Sequence, residues 1–370
     1  MRDRGTDPPG HRGGDGFRGA AAPASRTSQP HPSQRQAAKP TPTRRSVSTR
    51  TRGRCSAARA ASDVPFRNVG GLMSGKANVE QLHSVVEEAA GLLGITYPSD
   101  RVRAVLTAFQ DVLDSAIVLN VVTKGGGIGD LSFDFAAATS AGDPYDIALA
   151  HGLADEVEHP IRALLPDILA RFPVQTYGVD YGITGGFNKT YASFPLGDLQ
   201  RLEKLADVPS IPPGLAEHLG TFTTYGLDGK VSAIAIDYAR RTWNVYFNAL
   251  SPEYVERETV VAMLRELGAP EPSERMLEFI GASSAFYPTF GWDSSKVERV
   301  SFSAKNTAPA ALPDQVRPTF ENFARSVPYT YGGERVIVYA GALSAGEEYY
   351  KLAAYHQMPA KVHDRFRSES

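Results

Sequence analysis

The spacing of hydrophobic positions changes period in a fixed order along the chain. From Asn78 they recur at helical spacing, as Leu82, Val85, Val86, Ala89 and Leu92, and the pattern stops at Gly94. A second helical stretch follows Ser99, which reads as its N-cap, and carries Val102, Val105, Leu106, Phe109 and Val112. The period then becomes two. Residues 116–123 are rich in Ile, Val and Leu, Gly125-Gly126-Gly127 supplies a turn, and 131–137 alternates again, which predicts a hairpin behind a helix pair.

The same succession then returns. Helical patterns at 159–171, at 198–206 with 214–222, and at 252–267 with 273–280 precede strand pairs at 173–180 and 187–194, at 230–238 and 242–248, and at 283–289 and 297–304. A helical pattern at 317–326 precedes one more strand at 334–342. The units share architecture and no visible sequence identity. Strands joined by short turns must be antiparallel, and a helix inserted after each pair must cover one face of the sheet. About ten strands are too many for a strongly twisted open sheet. The expected fold is therefore α+β: an antiparallel, ten-stranded β-barrel ringed by helices.

Alternation within the strands sets what faces inward. Trp243, Val245 and Phe247 oppose Thr242, Asn244 and Tyr246; Val300 and Phe302 oppose Arg299, Ser301 and Ser303; Leu131, Phe133 and Phe135 oppose Ser132 and Asp134. The apolar faces belong under the helices, which turns the polar faces into the lumen. Unpaired charge in a dry core is costly, so such a lumen holds solvent and a ligand. Lys189 shares a face with Tyr191, as Asn244 does with Tyr246. Cations beside hydroxyl and amide donors suit a phosphate or diphosphate, and tyrosine faces suit an apolar or cationic neighbour. Taken singly, Lys189, Arg240, Arg299, Lys351 and Asp134 also fit solvated surface charges; it is their joint alternation with apolar partners that points inward.

Composition divides the chain in two. Residues 1–72 hold 13 Arg and 1 Lys against 4 Asp, with scattered Pro, Gly and Ser, and read as a disordered basic tail. The tail fits a solvated spacer or an over-extended gene start with Met73 as the natural one; a polyanion-binding arm and a targeting peptide are the other readings. Residues 73–370 carry a net charge of −12, which argues against nucleic acid as the ligand of the folded domain. The single cysteine, Cys55, lies in the tail, so the folded part has no thiolate metal site or disulfide. No apolar run approaches the roughly 18 residues needed to span a bilayer, and a cytoplasmic, monomeric protein away from the membrane is expected.

Familiar catalytic motifs are missing. The stretch from Lys124 to Asp130 has the glycines of a phosphate loop without its spacing, and a hairpin turn is the better reading. No H-E-x-x-H or G-x-S-x-G occurs. Asp111 and Asp114 form a D-x-x-D without the doubled aspartate of the helical prenyl synthases.

Several blocks, in order over nearly 300 residues, resemble the ABBA-barrel aromatic prenyltransferases. They are the stretch from Glu87 to Gly94, Gly142-Asp143-Pro144-Tyr145, Thr184-Gly185-Gly186-Phe187 with Lys189-Thr190-Tyr191, Tyr225-Gly226-Leu227-Asp228, Tyr287-Pro288-Thr289, and the stretch from Glu347 to Leu352. The resemblance implies a prenyl diphosphate and a small aromatic as substrates, with the diphosphate held by Lys189, Arg240, Asn244, Tyr287, Arg299 and Lys351. Tyr191, Tyr246 and Tyr355 would shield the allyl cation, and Ser232, Ser284 and Ala285 would line the acceptor pocket. Arg240 stands where the family's type member has lysine, Ser232 where it has glutamine, and Ala285 where it has serine. Asp134 matches an aspartate that holds Mg2+ there, although other members work without metal, and no organic cofactor is expected. Two rivals stay open from the residues alone: a non-catalytic barrel binding a phenolic or phosphorylated ligand, and a terpenoid cyclase in the same lumen.

Overall fold

The computed structural model describes residues 79–358, apart from 112, 114, 115, 196, 249 and 306–309. The basic stretch 1–72, Met73, Cys55 and Asp114 lie outside the described residues. Helices α1 (Val79–Leu93) and α2 (Ser99–Ala108) lead into strands β1 (Ile117–Lys124) and β2 (Gly127–Ala138). Helix α3 (Pro144–Ala150), a 3-10 turn (Pro160–Ala163) and α4 (Leu164–Arg171) precede β3 (Thr176–Gly182) and β4 (Gly186–Ser193). Next come α5 (Leu202–Ala206), α6 (Gly214–Thr224), β5 (Val231–Asp237) and β6 (Thr242–Phe247). A 3-10 turn (Pro252–Val255), α7 (Arg257–Glu266), α8 (Glu274–Ile280), β7 (Ala285–Gly291) and β8 (Val297–Lys305) follow. The described chain ends in α9 (Arg317–Ser326), β9 (Ile337–Ser344) and β10 (Glu347–Gln357).

All ten strands pair antiparallel with their sequence neighbours, and β1 pairs with β10, so the barrel closes as the strand count requires. Five tight hairpins gather at one end, and the helical connections leave from the other. The β1–β2 hairpin turns through Gly125 and Gly126, at φ 57° and 81°, a left-handed backbone that glycine adopts without a Cβ clash. Strand β10 closes the barrel, yet the alternation rule does not delimit it, because Tyr349 and Tyr350 are adjacent aromatics on opposite faces and Ala353-Ala354 carries little contrast.

Two helix starts differ from expectation. Ser99 is the first residue of α2 and not its cap: the N-cap is Pro98 without a side-chain bond, and the Ser99 hydroxyl pairs with His83 Nε2 at 3.0 Å. Helix α3 is too short for a hydrophobic period to show, but its start signal is present. Asp143 caps it by accepting the Tyr145 N–H at 2.8 Å, with Pro144 in the first turn.

The apolar core lies between barrel and helices. Phe109 beyond α2 packs on Phe135 of β2 at 5.0 Å between ring centroids, Phe222 of α6 on Phe247 of β6 at 5.3 Å, and Phe279 of α8 on Tyr350 of β10 at 5.6 Å. Trp243, Phe247, Phe286, Phe290 and Phe302 are fully buried on the same outer surface. Each such ring contributes roughly 1.5–3 kcal/mol by burial, which holds the helices as a sleeve and leaves the inner face free for polar groups. No described helix is long and apolar enough to cross a membrane.

Candidate active site

Cross-strand pairing fixes which inward side chains become neighbours. One row of partners runs Tyr355, Val118, Asp134, Asp180, Lys189 across β10, β1, β2, β3 and β4. Another runs Gly178, Tyr191, Ala235, Asn244, Thr289, Arg299, Ser344. Lys351 joins through Ala340, Ser303 and Ala285. Asp134, Lys189, Tyr191, Tyr246, Tyr287, Arg299, Lys351 and Tyr355 are all partly accessible although the wall encloses them, whereas their strand neighbours Phe133, Phe135, Ala192, Val245, Phe286, Val300, Leu352 and Ala354 are buried. The lumen is polar and open to water, as alternation requires.

The cations cluster near one end of the strands. Lys189, Asn244, Arg299 and Lys351 lie toward the hairpin end, two to four residues in from a turn. Lys189 Nζ donates to Asn244 Oδ1 at 3.1 Å, and Asn244 Nδ2 donates to Thr289 Oγ1 at 2.5 Å. Burial, and then the charges of Arg299 and Lys351, lower the Lys189 ammonium to about 7. Burial and Arg299 likewise lower Lys351 to about 8. Among the charges acting on each lysine, repulsion by Arg299 is the largest; attraction to Asp180 and Asp134 comes next for Lys351, and repulsion by Lys351 for Lys189. The buried Arg299 Nε has no hydrogen-bond partner.

The carboxylates sit beside these cations. Burial and the neighbouring Asp180 push the Asp134 carboxyl well above the usual range, and a hydrogen bond with Asn120 only partly offsets this. Asp134 Oδ1 is buried without a partner, while Asp180 Oδ1 accepts from Asn188 Nδ2 at 3.0 Å. Among the described residues no group of three or more His, Cys, Asp or Glu could hold a metal unaided.

Beside the cations, aromatic rings form a wall. Tyr191 and Tyr246 meet edge to face at 5.8 Å with their hydroxyls hydrogen-bonded, and Tyr246 lies 4.4 Å from Tyr287. The Tyr287 hydroxyl shares a hydrogen bond with Ser303. Burial raises all these phenols, Tyr287 to about 12, so none is a base near neutrality. Gly178 makes room for Tyr191, since a Cβ there would stand 3.1 Å from the tyrosine ring. His356, the one histidine in a described strand, alternates onto the outer face and hydrogen-bonds the Pro328 carbonyl.

Three expected residues stand apart from this centre. Arg240 lies in the β5–β6 turn at the hairpin-end rim, its side chain 67% exposed, and donates from Nη1 to Asp237 Oδ2 at 2.9 Å. Ser232 is the extra residue of a bulge in β5, and its hydroxyl donates to the Tyr246 carbonyl at 3.1 Å. Ser284 immediately precedes β7, where alternation carries Ala285 and Tyr287 onto the inner face and leaves Ser284 off it. Asp180 and Thr289 were not singled out by sequence. Both alternate inward on predicted strands, but nothing in the sequence distinguishes them until register makes Asp180 the neighbour of Asp134 and Thr289 the neighbour of Asn244.

Comparison with known proteins places the chain in a family. Residues 77–362 match the model of the family described as aromatic prenyltransferase Orf2. The chain is 44% identical over 287 residues to flaviolin linalyltransferase of Streptomyces virginiae, covering 77% of this chain and 95% of that one. It is 41% identical to a furaquinocin biosynthesis prenyltransferase of Streptomyces sp. (strain KO-3988), over 76% and 91% of the two chains. Identity is 38% to 5,10-dihydrophenazine-1-carboxylate 9-dimethylallyltransferase of Streptomyces anulatus, over 78% and 97%. Among solved structures, NotF prenyltransferase superposes with a TM-score of 0.46 at 11% identity, over 79% of this chain and 97% of that one. On a match spanning most of its length, with these relatives, the chain belongs to the aromatic prenyltransferase Orf2 family and is an aromatic prenyltransferase.

Proposed function

We propose that the enzyme transfers a dimethylallyl or geranyl group from its diphosphate to a hydroxynaphthalene, phenazine or phenol, as a monomeric cytoplasmic enzyme of secondary metabolism. The observation that carries this reading is the convergence of the mutually repelling cations Lys189, Arg299 and Lys351 next to the wall of Tyr191, Tyr246 and Tyr287. A diphosphate supplies negative charge that offsets their repulsion, and the prenyl chain lies along the rings. The relatives' names, which include a linalyl and a dimethylallyl transferase, support both donor lengths.

In this reading the allylic C–O bond breaks heterolytically and its electron pair leaves with the diphosphate. Lys189, Arg299 and Lys351 stabilise the charge that grows on the leaving group. Asn244 and Tyr287 add neutral donors. Arg240 engages once it exchanges Asp237 for the diphosphate. Tyr191, Tyr246 and Tyr355 face the allyl cation with their ring quadrupoles and keep water from capturing it. A π pair of the acceptor forms the new C–C bond, and the arenium proton passes to water. The absence of a lumen histidine among the described residues and the raised phenols fit a reaction without a strong protein base.

Asp134 is the residue that would hold Mg2+. Its unpartnered buried oxygen fits a hard cation that takes one carboxylate and completes its shell with diphosphate oxygens and water. When bound, the ion would add positive charge at the leaving diphosphate. Incubating the full chain with dimethylallyl, geranyl and farnesyl diphosphates and a panel of hydroxynaphthalenes, phenazines and hydroxybenzoates, with and without EDTA, tests the proposal. A prenylated aromatic from the dimethylallyl or geranyl arm is expected. Product from none of the combinations, by a folded protein, overturns it.

A further inference from the structure

Thr289 lies in the inner row between Asn244 of β6 and Arg299 of β8, with 2% of its surface exposed. Asn244, 3% exposed, is held from both sides: Oδ1 accepts from Lys189 Nζ at 3.1 Å, and Nδ2 donates to Thr289 Oγ1 at 2.5 Å. Once the diphosphate has restored its proton, Lys189 can only donate, and the carboxamide oxygen must face it. Nδ2 is thereby turned toward Thr289, whose hydroxyl oxygen accepts one of its two hydrogens. The second hydrogen remains for a ligand.

We infer that Thr289 is a positioning residue that locks the Asn244 carboxamide, so that one N–H is presented to the donor's diphosphate while the oxygen steadies Lys189. The inference rests on the diphosphate site proposed above. Valine has nearly the shape of threonine and no acceptor, so Thr289→Val leaves a buried N–H without its partner. The amide is then held by Lys189 alone, and Nδ2 loses the contact that fixes its aim toward the phosphate.

The test is a double-mutant cycle on kcat/KM for geranyl or dimethylallyl diphosphate. Asn244→Ala and Thr289→Val should each lower it roughly 10- to 100-fold, the size of a lost hydrogen bond to a charged group. In the Asn244→Ala background, Thr289→Val should cost less than about 3-fold more, because residues acting as a unit are not additive. Thr289→Ser should recover most of the loss. An equal cost of Thr289→Val in both backgrounds, or a silent Thr289→Val beside a costly Asn244→Ala, overturns the inference alone. A silent Asn244→Ala overturns the diphosphate role of Asn244 and the inference with it. Should the valine variant not fold, Thr289→Ala enters the same cycle. Side-chain amide NMR gives an independent reading: one Asn244 Nδ2 proton should be shifted downfield in the wild type and return in Thr289→Ala, and unchanged shifts overturn the inference.

Discussion

Binding of a prenyl diphosphate should draw protons from solution. In the free protein Lys189 is lowered to about 7 and Lys351 to about 8, first by burial and then by Arg299. At pH 8 this leaves Lys189 about one-tenth and Lys351 about half protonated. A bound diphosphate favours the charged form of both. If it restores full protonation, uptake at pH 8 is roughly 1.4 protons per ligand, the ligand itself being already ionised. The sign follows from linkage. Both pKa values are higher in the complex, so the extra affinity is fully present below pH 7 and is lost as pH rises toward the complex's own values. Complete restoration corresponds to a fall in affinity of roughly 500-fold from pH 7 to pH 9, about 50-fold through Lys189 and about 10-fold through Lys351. Isothermal titration calorimetry at pH 8 with an unreactive thiolodiphosphate analogue, in buffers of different ionisation enthalpy, reads the uptake directly. Lys351→Met should remove more than about half a proton of it, because Lys189 also regains part of its proton in the free protein once Lys351 no longer repels it. Heats independent of buffer, with affinity flat from pH 7 to 9, would refute the account of the cation cluster.

Other expectations follow from particular contacts. In Gly178→Ala the new Cβ stands 3.1 Å from the Tyr191 ring, so crowding should cost about 1–3 kcal/mol in chemical unfolding and lower turnover more than Phe302→Ala does. Phe302→Ala empties a fully buried outer position and should cost about 3–5 kcal/mol of stability, with kcat in the surviving folded protein within a few-fold of wild type. If Asp134 carries Mg2+, EDTA should lower wild-type turnover and leave Asp134→Asn turnover unchanged; equal EDTA sensitivity in both would contradict that role.

Much of this architecture is legible in the sequence because a strand buried on one face must alternate. Trp243, Val245 and Phe247 against Asn244 and Tyr246 suffice to place an outer core and a polar lumen, and Val300 and Phe302 against Arg299 repeat the message. Features that break the period are less legible. The bulge at Ser232 turns one residue out of step, β10 mixes aromatic and charged residues on both faces, and α3 is shorter than two full turns. The cluster itself depends on register. That Asp134 meets Asp180 and Asn244 meets Thr289 follows from hairpin lengths and from ladder shifts such as the one at Thr289/Phe290, which no single strand encodes. Arg240 shows the same limit, since its ion pair with Asp237 exists only because the turn folds it back.

The most direct measurement follows free diphosphate and prenylated aromatic together, in wild type and in Arg299→Ala, with a donor and acceptor that the wild type accepts. Diphosphate and product should appear in equal amounts, and Arg299→Ala should lower kcat about 10²- to 10³-fold, the cost of removing one preorganised donor from developing negative charge. Turnover unchanged in Arg299→Ala, or diphosphate released at the same rate without an aromatic acceptor, would contradict the account.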